Sequence, residues 1–301
     1  MRVFVTGASG WIGSAAVDDL LAAGHDVVGL ARSDTSAAAQ EAKGVTVLRG
    51  DLDDLDAIGK GAADADGVVH LANKHDWSNP AASNAAERAA VEMIAETLAG
   101  TQRPFVLASG VAGLAHGRPG TEEDRSPAHG PDSPRGGAEN LALSYVERGV
   151  RVVSARFAPT VHGDRDHGFI AYIVAAAREK GVSAYVGEGA NRWSAVHRSD
   201  AARLVRLGLE QAPAGSILHA VAEEGVPTKA IAEAIGRGLG LPVASVAPEK
   251  AVDHFGFIGS FFAMDLAASS RRTQELLGWK PAGPTLVDDI DAGAYYLRAA
   301  G

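Results

Sequence analysis

The chain has 301 residues, of which 46% are hydrophobic and 22% are charged, a composition typical of a globular protein with one or two domains. Its net charge of −9 predicts no basic surface for nucleic acid, and the lack of cysteine excludes disulfides, thiolate catalysis and cysteine–metal sites. No apolar run is long enough to cross a membrane, and the first predicted strand begins near residue 2. We therefore expect no membrane span, no signal peptide and a cytoplasmic location.

A glycine-rich turn, TGASGWIG at residues 6–13, joins the first predicted strand (residues 3–5) to the first predicted helix (residues 14–23). Strand, turn and helix are the context that a dinucleotide-binding fingerprint needs, although Gly-x-x-Gly-x-x-Gly replaces the commoner Gly-x-Gly-x-x-Gly. In such a site Gly7 would allow the tight turn, Gly10 the approach of a pyrophosphate and Gly13 the close packing of helix on strand. Free N–H groups at the helix start would then bind the phosphates. The alternative is an ordinary turn between a strand and a helix.

Apolar strands continue to alternate with helices through the first half of the chain. Further strands are predicted at residues 26–31, 45–49, 67–71, 104–109 and 151–156, and further helices at residues 35–43, 81–99 and 138–148, with a short helix ending near residue 62. This alternation predicts an α/β fold with a Rossmann-type, doubly wound parallel sheet covered on both faces. The carboxyl ends of the strands then share one edge, where ligands bind.

The pattern changes after residue 156, and a long Gly/Pro-rich loop is predicted before it, at residues 110–137. The later predicted elements are helices at residues 169–180, 199–211, 227–239 and 286–298 and strands at residues 183–186 and 216–222. We expect residues 1–163 to form the dinucleotide-binding domain, with residues 196–224 returning to it. Residues 164–195 and 225–301 are predicted to form a smaller C-terminal lobe that binds substrate.

Six segments in order carry a family resemblance: TGASGWIG (6–13), GDL (50–52), VHLAN (69–73), ARFAPTVHG (155–163), VHRSDAA (196–202) and LLGWKP (276–281). Together they resemble the extended short-chain dehydrogenase/reductase superfamily, which includes NAD-dependent epimerases and dehydratases, over nearly the whole chain. The resemblance implies that Asp51 and Leu52 contact adenine and that Leu71, Ala72 and Asn73 line the ribose and pyrophosphate. The cofactor contacts predicted in full are Gly7, Ser9, Gly10, Trp11, Ile12, Arg32, Ser33, Asp51, Leu52, Leu71, Ala72, Asn73, Arg135 and Phe157.

The family's catalytic signature, Tyr-x-x-x-Lys, is missing from this chain. Counting back from Glu139, which matches the family's glutamate, puts Arg135 in the lysine position and Pro131 in the tyrosine position, and the first tyrosine is Tyr145. In the family the tyrosine donates the proton and the lysine binds ribose and lowers the pKa of the tyrosine. Arg135 could bond the ribose hydroxyls, but it does not lose its proton; a solvated arginine is the alternative. The chain therefore resembles an atypical subgroup.

The residues after the second strand indicate which nicotinamide cofactor is bound. A carboxylate at this point accepts from the 2′-hydroxyl of NAD, but here Ala31 is followed by Arg32 and Ser33. Because an arginine can pair with a 2′-phosphate, we predict NADP(H). NAD(H) is possible if Asp34 supplies the ribose contact.

Ser109 and His167 are the predicted catalytic residues. Ser109 ends the fifth strand, where the family keeps a serine or threonine that bonds the substrate carbonyl, although Gly110 could take that position and Ser109 could instead bond the backbone. A histidine has a suitable pKa to replace the missing tyrosine as proton donor, and His167 faces the predicted cleft. The other loop histidines at this edge are His116, His129 and His162; for each histidine the alternative is a polar loop residue.

The lobe adds candidate substrate contacts but no predicted metal site. Asp164, Asp166 and His167 complete no metal-ligand spacing, so a loop and helix cap are predicted there. Trp193 and His197 fall where extended family members close the substrate cleft, and they are the predicted substrate-binding residues. Asp200 is predicted to cap the following helix. An aromatic run could wall an apolar pocket, form an interface or pack in the core: Phe255, Phe257, Phe261, Phe262 and Met264.

Together these observations predict an NADP(H)-dependent oxidoreductase that acts on a carbonyl or related group of a small organic molecule. Ser109 would polarise that group, and a histidine or water would supply the proton. Two alternatives remain open: a sugar-nucleotide epimerase or dehydratase, and a non-catalytic regulator that senses NADP(H). The resemblance also implies a homodimer through the helices at residues 81–99 and 138–148.

Overall fold

A computed structural model describes residues 1–76 and 78–296. Its strands are β1 (Arg2–Thr6), β2 (Asp26–Ala31), β3 (Thr46–Arg49), β4 (Gly67–His70), β5 (Pro104–Gly110), β6 (Arg151–Phe157), β7 (Thr160–His162), β8 (Ser183–Val186), β9 (Arg192–His197), β10 (Ser216–Ala220), β11 (Glu223–Pro227) and β12 (Val243–Val246). Its helices are α1 (Trp11–Ala22), α2 (Asp34–Glu41), α3 (Leu55–Ala63), α4 (Pro80–Leu98), α5 (Ala138–Ser144), α6 (Phe169–Lys180), α7 (Arg198–Gln211), α8 (Thr228–Leu239), α9 (Ala251–Phe255), α10 (Ile258–Phe262), α11 (Arg271–Leu277) and α12 (Leu286–Asp291). None of these helices is long and apolar enough to span a membrane.

Seven parallel strands form the central sheet, in the order β10-β6-β5-β4-β1-β2-β3. β1 lies between β2 and β4, with Val3 paired to Val27 of β2 on one side and to Gly67 of β4 on the other. The strand order reverses on either side of β1, which is the topological switch point where doubly wound sheets bind ligands. The predicted Rossmann-type α/β fold is therefore confirmed.

The alternating side chains of β1 show how the two faces of the sheet are covered. Val3 and Val5 pack into the core beneath α1 and α7, whereas Phe4 packs into the core beneath α3, α4 and α5. All three side chains are fully buried, as expected of a central parallel strand with a helix layer on each face. This burial fixes the register of β1, and with it the position of the glycine turn that follows.

The lobe has its own core beside the sheet. It contains the three-stranded sheet β11-β9-β7, the parallel pair β12-β8 and helices that pack against them. Its core contains Ile173, Trp193, Ile235, Phe262 and Leu286. The segment predicted to return to the sheet is divided: β10 pairs with β6, but β9 and β11 belong to the lobe's small sheet. The domain boundaries themselves stay a prediction.

Several predicted elements differ in length from the observed ones. The helix predicted at residues 138–148 ends at Ser144, because Tyr145 and the residues after it turn back toward β6. The helix predicted at residues 286–298 ends at Asp291, and residues 297 and 298 lie outside the described part of the chain. The short strands β7, β9, β11 and β12 and the short helices α9–α11 were not predicted, since segments of three to seven residues carry too little periodicity.

Candidate cofactor and active site

The glycine turn between β1 and α1 is closed so tightly that side chains would not fit. Gly7 has φ +73°, and a Cβ there would lie 2.7 Å from the backbone nitrogen of Ala72. A Cβ on Gly13 would lie 2.0 Å from the carbonyl oxygen of Gly7, so the helix packs directly on the turn. Gly10 precedes α1, and no side chain in the described residues caps this helix. The open N–H groups of its first turn therefore suit a phosphate.

Trp11 connects this turn to the lobe. Its indole nitrogen donates to the carbonyl oxygen of Val161 at 2.7 Å, and its ring centroid lies 5.6 Å from that of His167. The guanidinium of Arg198 lies 4.2 Å from the indole centroid, and Nε of Arg198 donates to the carbonyl oxygen of Trp11 at 2.6 Å. The indole is thus held by protein, which leaves the main-chain N–H of Trp11 at the helix start for a ligand.

Two arginines lie at the carboxyl ends of β2 and β3. Arg32 is exposed, and Ser33 caps α2 by accepting from the backbone N–H of Ser36 at 3.1 Å. Arg49 donates to the carbonyl oxygen of Ser33 at 3.0 Å and pairs with the carboxylate of Asp34. Sequence analysis missed Arg49. Because neighbouring parallel strands end at the same edge, its position at the end of β3 could have indicated it.

Several other predicted cofactor contacts also serve the fold. Asp51 is exposed, and its Oδ1 accepts from the backbone N–H of Asp53 at 2.9 Å, shaping the turn before α3. Leu52 is buried in the core beneath α3, and Leu71 packs against the opposite core. Phe157 is 7% exposed, so it could offer a ligand little side-chain surface. Ser9 is exposed, and its hydroxyl lies 2.8 Å from that of Ser36.

The position of the missing Tyr-x-x-x-Lys pair has an unusual backbone. Arg135, Gly136 and Gly137 have φ values of +55°, +59° and +63°, so three successive residues are left-handed and α5 begins only at Ala138. The helix thus begins at residue 138, where it was predicted to begin. The backbone N–H of Arg135 donates to Oδ1 of Asn84 at 2.9 Å, and its Nη2 donates to Oε1 of Glu87 at 2.5 Å.

The loop after β4 reaches the same carboxylate. Asn73 donates through Nδ2 to Oε2 of Glu87 at 2.9 Å, and its Oδ1 accepts from the backbone N–H of His75 at 2.8 Å. Desolvation and the charge of Arg135 lower the pKa of His75, and the charge of His167 acts in the same direction. Side chains from three loops, those after β4, before α5 and after β7, therefore share one electrostatic environment. His75 was missed by the sequence analysis.

Ser109 and His167, the two predicted catalytic residues, have different partners. The hydroxyl of Ser109 donates to Oε2 of Glu139 at 3.1 Å. Glu139 also accepts from Ser154 at 2.6 Å and from Nε of Arg156 at 2.7 Å, so the half-buried Ser109 joins a polar cluster at α5 whose other members are buried. His167 is exposed beside Trp11. The catalytic roles of both residues stay predictions.

The other candidate histidines divide into buried and exposed residues. His162 is fully buried, and its Nδ1 lies 2.6 Å from Oδ2 of Asp289; burial lowers the pKa of His162. His116 and His129 are exposed in the loop at residues 110–137. That loop is attached to α11, where Thr273 donates to Glu122 through its backbone N–H at 2.8 Å and its hydroxyl at 2.7 Å.

The lobe residues predicted to bind substrate lie mostly within the fold. Trp193 is fully buried, with ring centroids 5.9 Å from Phe169 and 5.3 Å from Phe262, so in this conformation it has no surface with which to cover a substrate. His197 is partly exposed and caps α7 by accepting from the backbone N–H of Ser199 at 3.3 Å.

The prediction that Asp200 caps α7 is wrong, because Asp200 lies in the first turn of that helix and His197 is the capping residue. Oδ2 of Asp200 instead accepts from the backbone N–H groups of Ala282 at 3.1 Å and Gly283 at 2.8 Å. Asp166, in the loop before α6, accepts from the backbone N–H of Gly168 at 2.7 Å. In the described residues, no group of three or more His, Cys, Asp or Glu side chains is arranged to hold a metal ion.

The aromatic run is divided between core and surface. Phe255 and Phe262 are buried in the lobe. Phe257 is 41% exposed and contacts Tyr172, 47% exposed, with ring centroids 5.0 Å apart. Phe261 stacks on Phe169 at 5.7 Å. Both pairs involve residues of α6, which begins two residues after His167.

Residues 3–220 match the model of the NAD dependent epimerase/dehydratase family, and the chain belongs to this family. The predicted resemblance to extended short-chain dehydrogenases/reductases is thereby confirmed. The fold is also that of DesIV, a dTDP-glucose 4,6-dehydratase from Streptomyces venezuelae whose structure contains NAD. The two structures have a TM-score of 0.76 and 21% sequence identity, with 98% of this chain and 96% of DesIV covered.

Two curated relatives extend the comparison. The uncharacterized protein C2A9.02 of Schizosaccharomyces pombe is 48% identical over 297 residues, covering 98% of this chain and all of the relative. A protein of Stigmatella aurantiaca named 4-hydroxy-2-methyl-3-oxo-4-farnesyl-3,4-dihydroquinoline-1-oxide ketoreductase is 29% identical over 230 residues, covering 72% of this chain and 67% of that protein.

Proposed function

We propose that the protein is an NADP(H)-dependent oxidoreductase that acts on a carbonyl or related group of a small organic molecule. The observation that carries the proposal is the pair of arginines, Arg32 and Arg49, at the ends of adjacent strands β2 and β3. Guanidinium groups recognise phosphate through charge-assisted hydrogen bonds, and a 2′-phosphate distinguishes NADP from NAD. The ketoreductase name of the Stigmatella relative supports a carbonyl substrate.

The residues around the turn fit a dinucleotide. The N–H groups at the start of α1 would hold the pyrophosphate, because Gly7, Gly10 and Gly13 keep the space above them free of side chains. Arg135 would bond ribose hydroxyls. When bound, the nicotinamide supplies or accepts a hydride. His167 or water would carry the accompanying proton, and His75 adds a second histidine to this environment.

A sugar-nucleotide epimerase or dehydratase is the second candidate, favoured by the likeness in fold to DesIV. The missing Tyr-x-x-x-Lys pair counts against it, because the resemblance implies that such enzymes use the tyrosine. The same absence favours a non-catalytic sensor of NADP(H). Bound cofactor that never turns over, together with a protein partner in pull-down, would select the sensor.

A paired titration tests the proposal. NADPH and NADH are added to wild type, Arg32→Ala and the control Arg203→Ala, which removes an exposed arginine of α7, and binding is followed by nucleotide fluorescence. Loss of a hydrogen bond to a charged group costs about 1.5–3 kcal/mol, so Arg32→Ala should weaken NADPH about 10- to 100-fold and leave NADH unchanged. A screen of carbonyl compounds with NADPH then follows. If wild type binds neither nucleotide, the oxidoreductase proposal is wrong.

We also expect a homodimer through α4 and α5, as the family resemblance implies, and a cytoplasmic location. Light scattering at working concentration would give twice the chain mass for the dimer. A monomer mass would rule it out.

A further inference from the structure

Glu87 is a charged residue on the buried face of α4. Its exposure is 0%, and the residues that share its face are also buried: Ser83, Ala86, Ala90, Val91 and Ile94. A carboxylate is almost never fully buried unless it is paired. Glu87 lies in a stripe of small and apolar residues with i, i+3, i+4, i+7 spacing. This spacing in the sequence could have indicated that Glu87 is buried.

The partners of Glu87 come from two loops at the candidate site. Arg135 donates to Oε1 at 2.5 Å from the loop before α5, and Asn73 donates to Oε2 at 2.9 Å from the loop after β4. Burial alone would raise the pKa of Glu87. The charges of Arg135 and His70, with these two hydrogen bonds, outweigh burial and hold the pKa below its usual value, so the carboxylate is charged.

Helix α4 holds Arg135 at two points. Asn84, one turn before Glu87, accepts from the backbone N–H of Arg135 at 2.9 Å, and Glu87 accepts from its side chain. The left-handed backbone of Arg135 is costly for a residue with a Cβ, so the surrounding contacts must maintain it. The Arg135 side chain stays 35% exposed, and a planar fork bound at one end still has N–H groups to donate.

We infer that Glu87 is a positioning residue that holds the Arg135 guanidinium for the ribose on the nicotinamide side of the cofactor. The inference rests on the proposed function. In this arrangement the Glu87–Arg135 pair takes the binding part of the missing lysine's role, while Asn73 aligns the loop after β4 with it. Arg135 moves no proton, because a guanidinium keeps its charge.

The test separates the two halves of the cofactor. Glu87→Gln, Arg135→Ala and the double variant are compared with Glu92→Gln, a control that removes an exposed carboxylate from the same helix. Fluorescence titration measures NADPH binding, and calorimetry measures binding of 2′,5′-ADP, which has the adenosine and 2′-phosphate but no nicotinamide riboside. If wild type prefers NADH, then NADH replaces NADPH and ADP replaces 2′,5′-ADP in these titrations. Circular dichroism checks that each variant is folded.

Glu87→Gln should weaken NADPH about tenfold and leave 2′,5′-ADP within about twofold of wild type, and Arg135→Ala should do the same. In the Arg135→Ala background, Glu87→Gln should have no further effect, because the two residues act as one unit. Equal weakening of NADPH and 2′,5′-ADP, or an undiminished effect in that background, would show a general structural role and overturn the inference. Unchanged NADPH binding would also overturn it. Wild type that binds none of these nucleotides would refute the proposed function, and this inference with it.

Discussion

Arg49 binds both residues that follow Arg32. Its Nη1 donates to the carbonyl oxygen of Ser33 at 3.0 Å, and its Nη2 pairs with the carboxylate of Asp34. The carboxylate that could have served as an NAD-type ribose acceptor is therefore already paired with a cation. Both groups are well exposed, so the pair itself adds little stability, but it places a guanidinium beside the predicted 2′-phosphate position.

Asp34→Asn should strengthen NADPH binding severalfold. The substitution removes a negative charge next to the predicted phosphate and frees Arg49 to bond it, an effect of about 1 kcal/mol at an exposed site. NADH should be unaffected. Fluorescence titration of both nucleotides measures this, with Glu41→Gln, an exposed carboxylate at the other end of α2, as the control. Weaker NADH binding in Asp34→Asn would instead make Asp34 a ribose ligand and favour NAD(H).

Gly13→Ala should abolish nucleotide binding and destabilise the fold. The added Cβ would lie 2.0 Å from the carbonyl oxygen of Gly7, and backbone on both sides must move. Overpacking of this kind costs about 1–3 kcal/mol. Urea unfolding would measure this loss of stability. Gly59→Ala in α3 is the matched control, because its Cβ would meet only side chains: the flexible Met93 at 3.1 Å and Oγ1 of Thr97 at 3.9 Å. Gly59→Ala should be neutral or stabilising. A Gly13→Ala protein that binds NADPH normally would show that the turn accepts a side chain at residue 13 and would contradict the prediction.

The sheet could be predicted from sequence because its strands are long apolar runs with one burial pattern, as in β1, where Val3, Phe4 and Val5 are all buried. The glycine turn follows from local chemistry alone. The partners of Arg135 do not, since Glu87 is 48 residues away and its role depends on the left-handed backbone at Arg135. Trp193 shows the same limit, because its aromatic side chain suits either a cleft or a core and only packing decides.

Ser109→Ala should lower the free energy of unfolding by about 1.5–3 kcal/mol, because it removes a hydrogen bond to the Glu139 carboxylate. Ser154→Ala is the matched control, since Ser154 donates to the same carboxylate from within the sheet. Chemical denaturation gives both values, which should be similar. If Ser109 also polarises a substrate carbonyl, only Ser109→Ala will lose NADPH-dependent turnover. Loss in both variants would assign the effect to Glu139.

Stability should fall as the pH is lowered from about 7.5 to 6. Burial lowers the pKa of His70, His162 and His219 below the value of about 6.5 expected in the unfolded chain. In this window the unfolded chain binds more protons than the folded one, so each histidine contributes stability at high pH that is lost on acidification. Burial raises the pKa of Asp166 and Glu223. These two carboxyl groups therefore contribute stability at low pH that is lost as the pH rises and they ionise.

His219→Gln should make this pH dependence shallower. Burial is the main cause of the lowered pKa of His219; Glu122 opposes it, and Arg156, whose Nη1 lies 3.4 Å from Nε2 of His219, adds to it. One buried histidine contributes at most about 1.4 kcal/mol per pH unit, so the slope should fall by up to that amount. Urea unfolding at a series of pH values measures it, with exposed His129→Gln as the control. An unchanged slope in His219→Gln would mean that His219 takes up its proton as readily in the folded chain as in the unfolded one.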